Sequence, residues 1–165
     1  MSDDWKTIVR EQGTGVYRIA WRILGNADDA DETVQDVFLQ AHQYKSQNDV
    51  DNVVGLLKRL AVCRSLDRLR RRRAEVCLDD VTVFDRESGP EDQAVGKELE
   101  SMLRDAVGQL PGREAEVFCL RYFDELTNQQ IADALNMTTA AVATAIYKAR
   151  TKLAATLADL NEGVS

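Results

Sequence analysis

The stretch from Leu126 to Leu153, LTNQQIADALNMTTAAVATAIYKARTKL, constrains the chain more than any other part of it. Two short helical patterns meet there across a tight corner, and the second ends in Lys148, Arg150 and Lys152 with no acid nearby. Thr127 can cap the first helix, after which Ile131, Ala132 and Leu135 share one face at helical spacing. Asn136 follows where the corner needs positive φ, a conformation that asparagine tolerates. Thr138 or Thr139 can cap the second helix.

In that second helix Val142, Ile146, Ala149 and Leu153 fall on one side. The opposite side carries Ala140, Thr144, Tyr147, Lys148 and Thr151, with Arg150 and Lys152 at its flanks. Small side chains permit close approach, and cations suit a polyanion. This is the pattern of a helix-turn-helix whose second helix enters a DNA major groove. An ordinary helical corner with a solvated basic end is the other reading these residues allow.

A net charge of −7 over 165 residues argues on its face against a nucleic-acid partner, but it is an average over sharply segregated charges. No apolar run approaches membrane-spanning length, and the N-terminus, MSDDWK, is not that of a signal peptide. Cys63, Cys77 and Cys119 stand far apart with no CxxC pair, which points to reduced, buried thiols in a cytoplasmic protein rather than a metal site. With no β-alternation, the expected fold is all-α.

The first helix is expected to begin at Asp3 or Asp4 and to stop at Gly25, with Trp5, Ile8, Val9, Val16, Ile19, Ala20 and Ile23 at helical spacing. Gly13 and Gly15 interrupt it; their GTG lacks the strand and third glycine of a dinucleotide loop, so a kink is expected there. A second helix is predicted from Asp28 to about Tyr44, buried through Ala30, Val34, Val37, Phe38 and Ala41. Its other face shows Glu32, Gln35, Asp36, Gln43 and Leu39; an apolar side chain in such a surface is either a binding hot spot or a single exposed leucine of the ordinary kind. A polar loop spans Lys45–Asn52, and a third helix is predicted from Val53 to Arg73. Its apolar residues change sides, Val53, Leu56, Leu57 and Leu60 first and then Val62, Leu66 and Leu69, as contacts with two neighbours require. Arg64 and Asp67 are spaced to pair.

From Lys58 to Arg73 there are eight basic residues against one acid, Asp67. Dense arginine on one helix repels itself unless a polyanion or an acidic surface relieves it, which favours phosphate contact over a solvated face. The following segment, EVCLDDVTVFDRESGPED, has seven acids and one arginine and reads as a flexible acidic linker. The chain thus divides into an N-terminal helical domain (1–73), a linker (74–92) and a C-terminal helical domain (93–160). In the last, a helix from about Gln93 to Leu110 stops at Pro111, which can start the next.

The segment LPGREAEVFCLRYFDELTNQQIADALNMTTAAVATAIYKARTKL closely resembles region 4 of the extracytoplasmic-function (ECF, group IV) sigma factors of bacterial RNA polymerase. The segments ADETVQDVFL (30–39) and DRLRRRR (67–73) resemble region 2 of the same family. The resemblance implies a factor that binds core polymerase and directs promoter-specific transcription initiation. By it, Glu32, Gln35, Asp36 and Leu39 bind the clamp of the β′ subunit. Asn48 and Asn52 in the loop, with Lys58, Arg59, Arg64, Arg68, Arg71 and Arg72 on the basic helix, engage the melted minus-ten strand. Thr139, Ala140, Ala143, Thr144, Tyr147, Lys148, Arg150 and Lys152 read the minus-thirty-five element. Phe118–Tyr122 lie where region 4 meets the β flap, the acidic linker threads the RNA exit path, and an anti-sigma factor wedged between the domains hides both DNA-binding faces. No cofactor, metal or membrane insertion is implied.

Four positions depart from the family pattern. Gly55-Leu56 stands where a Trp-Leu pair is usual, Cys63 where an Asn is usual, Glu32 for an Asp, and Ala145 for an Arg of the recognition helix. The first two bear on minus-ten contacts and the last on base readout, which Thr144 and Lys148 would then carry. They motivate an alternative, a degenerate sigma-like regulator that binds polymerase or DNA without opening promoters. An enzyme is disfavoured: His42 is the single histidine, and no nucleophile–base spacing or phosphate loop occurs.

Overall fold

A computed structural model describes residues 5–79 and 91–162. Among them there are seven helices and no strand: α1 (Trp5–Leu24), α2 (Ala27–Gln47), α3 (Val53–Asp79), α4 (Glu91–Gly108), α5 (Gly112–Tyr122), α6 (Asn128–Leu135) and α7 (Thr139–Glu162). The expected helix starts at Asp3 or Asp4, and residues 80–90 of the expected linker with Gly89-Pro90, lie outside the described residues.

α1, α2 and α3 pack on one another, and α4 to α7 form a second group in which α7 touches α4, α5 and α6. α3 belongs to both. It packs on α1 and α2 and also on α4, α5 and α6, which accounts for the change of side in its apolar stripe. Leu57, Ala61, Val62, Leu66 and Leu69 are all buried, and one apolar cluster runs from Val16 in α1 to Leu153 in α7.

Element ends differ from the sequence expectations in informative ways. α1 runs unbroken through Gly13 and Gly15, neither of which has a neighbour within 4 Å of where a Cβ would sit. α2 is longer at both ends, because Asn26 accepts a hydrogen bond from the Asp29 N–H and moves the start to Ala27. Lys45–Gln47, expected in the loop, are its last residues. α3 continues past Arg73 to Asp79, into the segment read as linker. Gly25 ends α1 with φ +68, a conformation glycine adopts without strain, and a Cβ there would lie 2.6 Å from the Arg104 guanidinium carbon. No helix of the described residues is long and apolar enough to cross a membrane.

Candidate nucleic-acid interface

The corner between α6 and α7 is built by local hydrogen bonds. Thr127 Oγ1 accepts from the Gln130 N–H at 3.1 Å, and the Gln130 side chain accepts from the Thr127 N–H at 2.9 Å, a complete capping box. Asn136 ends α6 in the left-handed region at φ 55, and its N–H donates to the Ala132 carbonyl. Thr138 then caps α7 by accepting from the Ala141 N–H at 3.1 Å. Ile131, Leu135, Val142, Ala149 and Leu153 are buried and hold the two helices against α5. Ala145 is buried on this same side, 7% exposed, so an arginine at that position would have to leave the packed face.

All eight residues assigned to the minus-thirty-five element are exposed. Thr139, Ala140, Ala143, Thr144, Tyr147 and Lys148 form a continuous surface over the first half of α7, where Tyr147 is 72% exposed. The Thr144 hydroxyl donates back to the Ala140 carbonyl at 3.1 Å, leaving its oxygen to accept from a base or a phosphate-bound water. Arg150 and Lys152 are turned toward α5. The Arg150 guanidinium lies 5.8 Å from the Tyr122 ring centre, and Lys152 Nζ lies 2.8 Å from Glu114. These two brace α7, while Lys148 faces outward without an acidic partner among the described residues.

The minus-ten set is more heterogeneous. Asn48 and Asn52 are helix-end residues: the Asn48 side chain donates to the Tyr44 carbonyl at 3.0 Å, and Asn52 Oδ1 accepts from the Gly55 N–H at 2.9 Å. A Cβ at position 55 would sit 2.6 Å from Asn52 Nδ2, so a side chain there would displace the Asn52 side chain from this cap. Arg64 pairs with Asp67 at 3.1 Å, as its spacing requires. Arg72 reaches Asp29 and the Leu24 carbonyl, tying α3 to the α1–α2 corner. Arg68 bridges Glu32, at 3.0 Å, and Asp36. Arg59 and Arg71 are exposed, and Lys58 is paired with Asp124 of the second group.

On α2, Leu39 is 64% exposed between Gln35 and Asp36, which are exposed as well. Gln35 also borders a groove between α1 and α2, lined by Arg10, Gly13, Thr14, Tyr17, Asp31 and Val34. On α5, Phe118 is buried against Tyr122, ring centres 4.7 Å apart, and Tyr122 remains 41% exposed.

Several polar contacts between the two groups had no sequence signal, because their partners lie 38 to 101 residues apart. Arg22 donates to the Phe123 carbonyl, and Arg104 Nε donates to the Arg22 carbonyl at 3.2 Å. Arg70 donates to the Gly108 and Leu110 carbonyls, both at 3.0 Å, which satisfies the open end of α4. The Cys63 thiol donates to Glu116 at 2.9 Å. Burial, and then the Glu116 carboxylate, push that thiol up to about 12, and burial also raises Cys119. Cys63 and Cys119 are free thiols, and among the described residues no group of side chains could hold a metal ion.

A capped helix-turn-helix whose outer face carries Lys148, joined to a helical group with an arginine-rich helix, has the form of an all-helical nucleic-acid-binding protein. Residues 8–75 match the family model for sigma-70 region 2, and residues 100–153 match that for sigma-70 region 4. The chain is 28% identical over 157 residues to the ECF RNA polymerase sigma factor SigW of Bacillus subtilis (strain 168), covering 88% of this chain and 84% of that one. Its fold resembles that of CnrH, solved with the cytosolic domain of CnrY (TM-score 0.57, 20% identity, 94% of this chain and 88% of that one). It also resembles the sigma factor RpoE, solved with the anti-sigma factor NepR from Bartonella quintana (TM-score 0.56, 17% identity, 94% and 98%). The chain belongs to the ECF group of the sigma-70 family.

Proposed function

We infer that the chain is an RNA polymerase sigma factor that binds core polymerase and directs promoter-specific transcription initiation. The observation that carries this is the order of the two matched regions together with the capped helix-turn-helix, whose eight assigned residues are all exposed. It is a non-catalytic factor and works in the cytoplasm, where its polymerase is. Leu39, with Glu32, Gln35 and Asp36, is the contact for the β′ clamp, and the Tyr122 edge of α5 is the contact for the β flap. The first half of α7 reads the minus-thirty-five element. Arg59 and Arg71, with Lys58 once freed, hold the melted minus-ten strand through its phosphates. The units are an N-terminal region 2 and a C-terminal region 4 joined by the acidic segment. An anti-sigma protein is the expected regulator, by likeness to RpoE with NepR.

One observation favours the alternative reading, a sigma-like regulator that does not open promoters. Asn52 caps α3 across Gly55, so the large aromatic usual at that position has no room while the cap stands. Leu39→Asp decides the polymerase contact. It should abolish co-purification with core polymerase while leaving the melting temperature unchanged, because Leu39 is exposed. Undiminished co-purification would remove α2 from the polymerase interface.

A further inference from the structure

Direct readout in a major groove needs side chains that match the base edges. Guanine and adenine are read by paired hydrogen bonds from Arg, Asn or Gln, whereas thymine presents a C5 methyl that takes apolar contact. The first half of α7, residues 139–147, reads TAAVATAIY and holds no charged side chain and no amide. Ala140, Ala143, Thr144 and Tyr147 recur at the spacing of one helical face, and all four are exposed. The Thr144 hydroxyl commits its proton to the Ala140 carbonyl at 3.1 Å, and the Thr151 hydroxyl commits its own to the Tyr147 carbonyl at 2.9 Å. Neither can then donate to a purine, so Thr144 offers a base its methyl group and an acceptor oxygen. The side-chain donors left on residues 139–147 are the Thr139 and Tyr147 hydroxyls, each a single group and not a fork.

We propose, resting on the reading of α7 as the contact for the minus-thirty-five element, that this helix recognises thymine. The C5 methyl groups pack against Ala140, Ala143, Thr144 and the Tyr147 ring, and hydrogen bonds to guanine or adenine do not carry the selectivity. The small side chains at 140 and 143 let the helix approach the base edges closely, where the methyls lie. Each such contact takes apolar surface out of water, weak singly and additive over adjacent thymines. The exposed Tyr147 ring gains most, since 72% of it stands in water in the free chain. Ala145 and Val142 are buried on the opposite side and reach no base. Lys148 fixes the helix on the phosphate backbone without reading sequence.

The test uses the full chain bound to core polymerase, carried through selection on a random-sequence duplex pool. The enriched duplex is then remade with uracil for each upstream thymine in turn, which deletes the methyl and keeps the pairing and the phosphates. Each contacted thymine so exchanged should weaken binding about three- to four-fold, the worth of one buried methylene, with the salt slope unchanged. Thr144→Ser, which keeps the hydroxyl and removes the methyl, should erase the preference for thymine over uracil at one position. Thr144→Val, which keeps a methyl and removes the hydroxyl, should retain it; Thr144 is exposed, so neither variant threatens the fold. An enriched duplex indifferent to uracil throughout overturns the proposal, as does a preference kept by Thr144→Ser and lost by Thr144→Val. A complex that enriches no upstream sequence removes the minus-thirty-five reading and the proposal with it, whereas indifference to uracil on an enriched duplex removes the proposal alone.

Discussion

The Arg68 guanidinium bridges Glu32 and Asp36, so the arginine run of α3 and the acidic face of α2 form one charged surface. The Asp36 hydrogen bond is the larger influence holding Arg68 protonated. Arg68 is thereby occupied in orienting two residues assigned to the polymerase, and a direct phosphate contact would require it to release them. The acids are 66% and 50% exposed, so the bridge contributes at most about 1 kcal/mol to folding. Arg68→Ala should therefore shift a urea melt only slightly and weaken binding to core polymerase several-fold. A large loss of stability with intact core binding would place Arg68 in the scaffold alone.

Lys148 projects from the exposed face of α7, clear of the bracing contacts that engage Arg150 and Lys152. Lys148→Ala should weaken promoter binding and reduce the slope of log affinity against log salt by about 1, the value of one phosphate contact. An unchanged slope would mean that Lys148 touches no phosphate. Lys152→Ala should cost less affinity, since its ammonium is held by Glu114.

Ser65 is fully buried in α3, and its hydroxyl has no partner among the described residues. Burying an unsatisfied hydroxyl costs roughly 1–3 kcal/mol. Ser65→Ala should therefore stabilise the protein, by about 1 kcal/mol in chemical denaturation. A destabilisation of that size would show that the hydroxyl is satisfied.

Cys63 carries a pH signature. Its ordinary value of 9.0 is raised to about 12 by burial and the Glu116 carboxylate. A raised value means the folded state keeps its proton longer than the unfolded chain. The associated stability is therefore full below about 9 and is lost as pH rises toward 12. At pH 8 the thiol should react with iodoacetamide far more slowly than in the urea-unfolded chain, as read by mass spectrometry of the Cys63 peptide. Equal rates would contradict the buried contact with Glu116.

What the sequence revealed was mostly local. The cap at Thr127, the left-handed Asn136, the cap of α7 at Thr138 rather than Thr139, and the stripe of α7, buried at Val142, Ala149 and Leu153 and partly buried at Ile146, each depend on residues within a few positions of one another. Arg64 with Asp67 likewise followed from spacing. The start of α3 at Val53 stands as expected, whereas the start of α2 and the far ends of α2 and α3 were misplaced, because Asn26 caps α2 ahead of Asp28 and because the helices run on through Lys45–Gln47 and beyond the arginine run to Asp79. The chemistry of individual cations was legible as a run and illegible residue by residue. Lys58, Arg70 and Arg72 look alike in sequence, yet one pairs across the seam, one closes the end of α4 and one reaches the α1–α2 corner. Their partners lie 38 to 66 residues away, where periodicity carries no information.

Run-off transcription with bacterial core polymerase, with and without the full chain, on a library of upstream DNA fragments decides whether these surfaces act together. A sigma factor yields discrete transcripts that appear only when the chain is added and disappear with Leu39→Asp. Core binding with no transcript from any fragment would contradict promoter opening and leave the degenerate regulator, in which Asn52 and Gly55 have closed the start of α3.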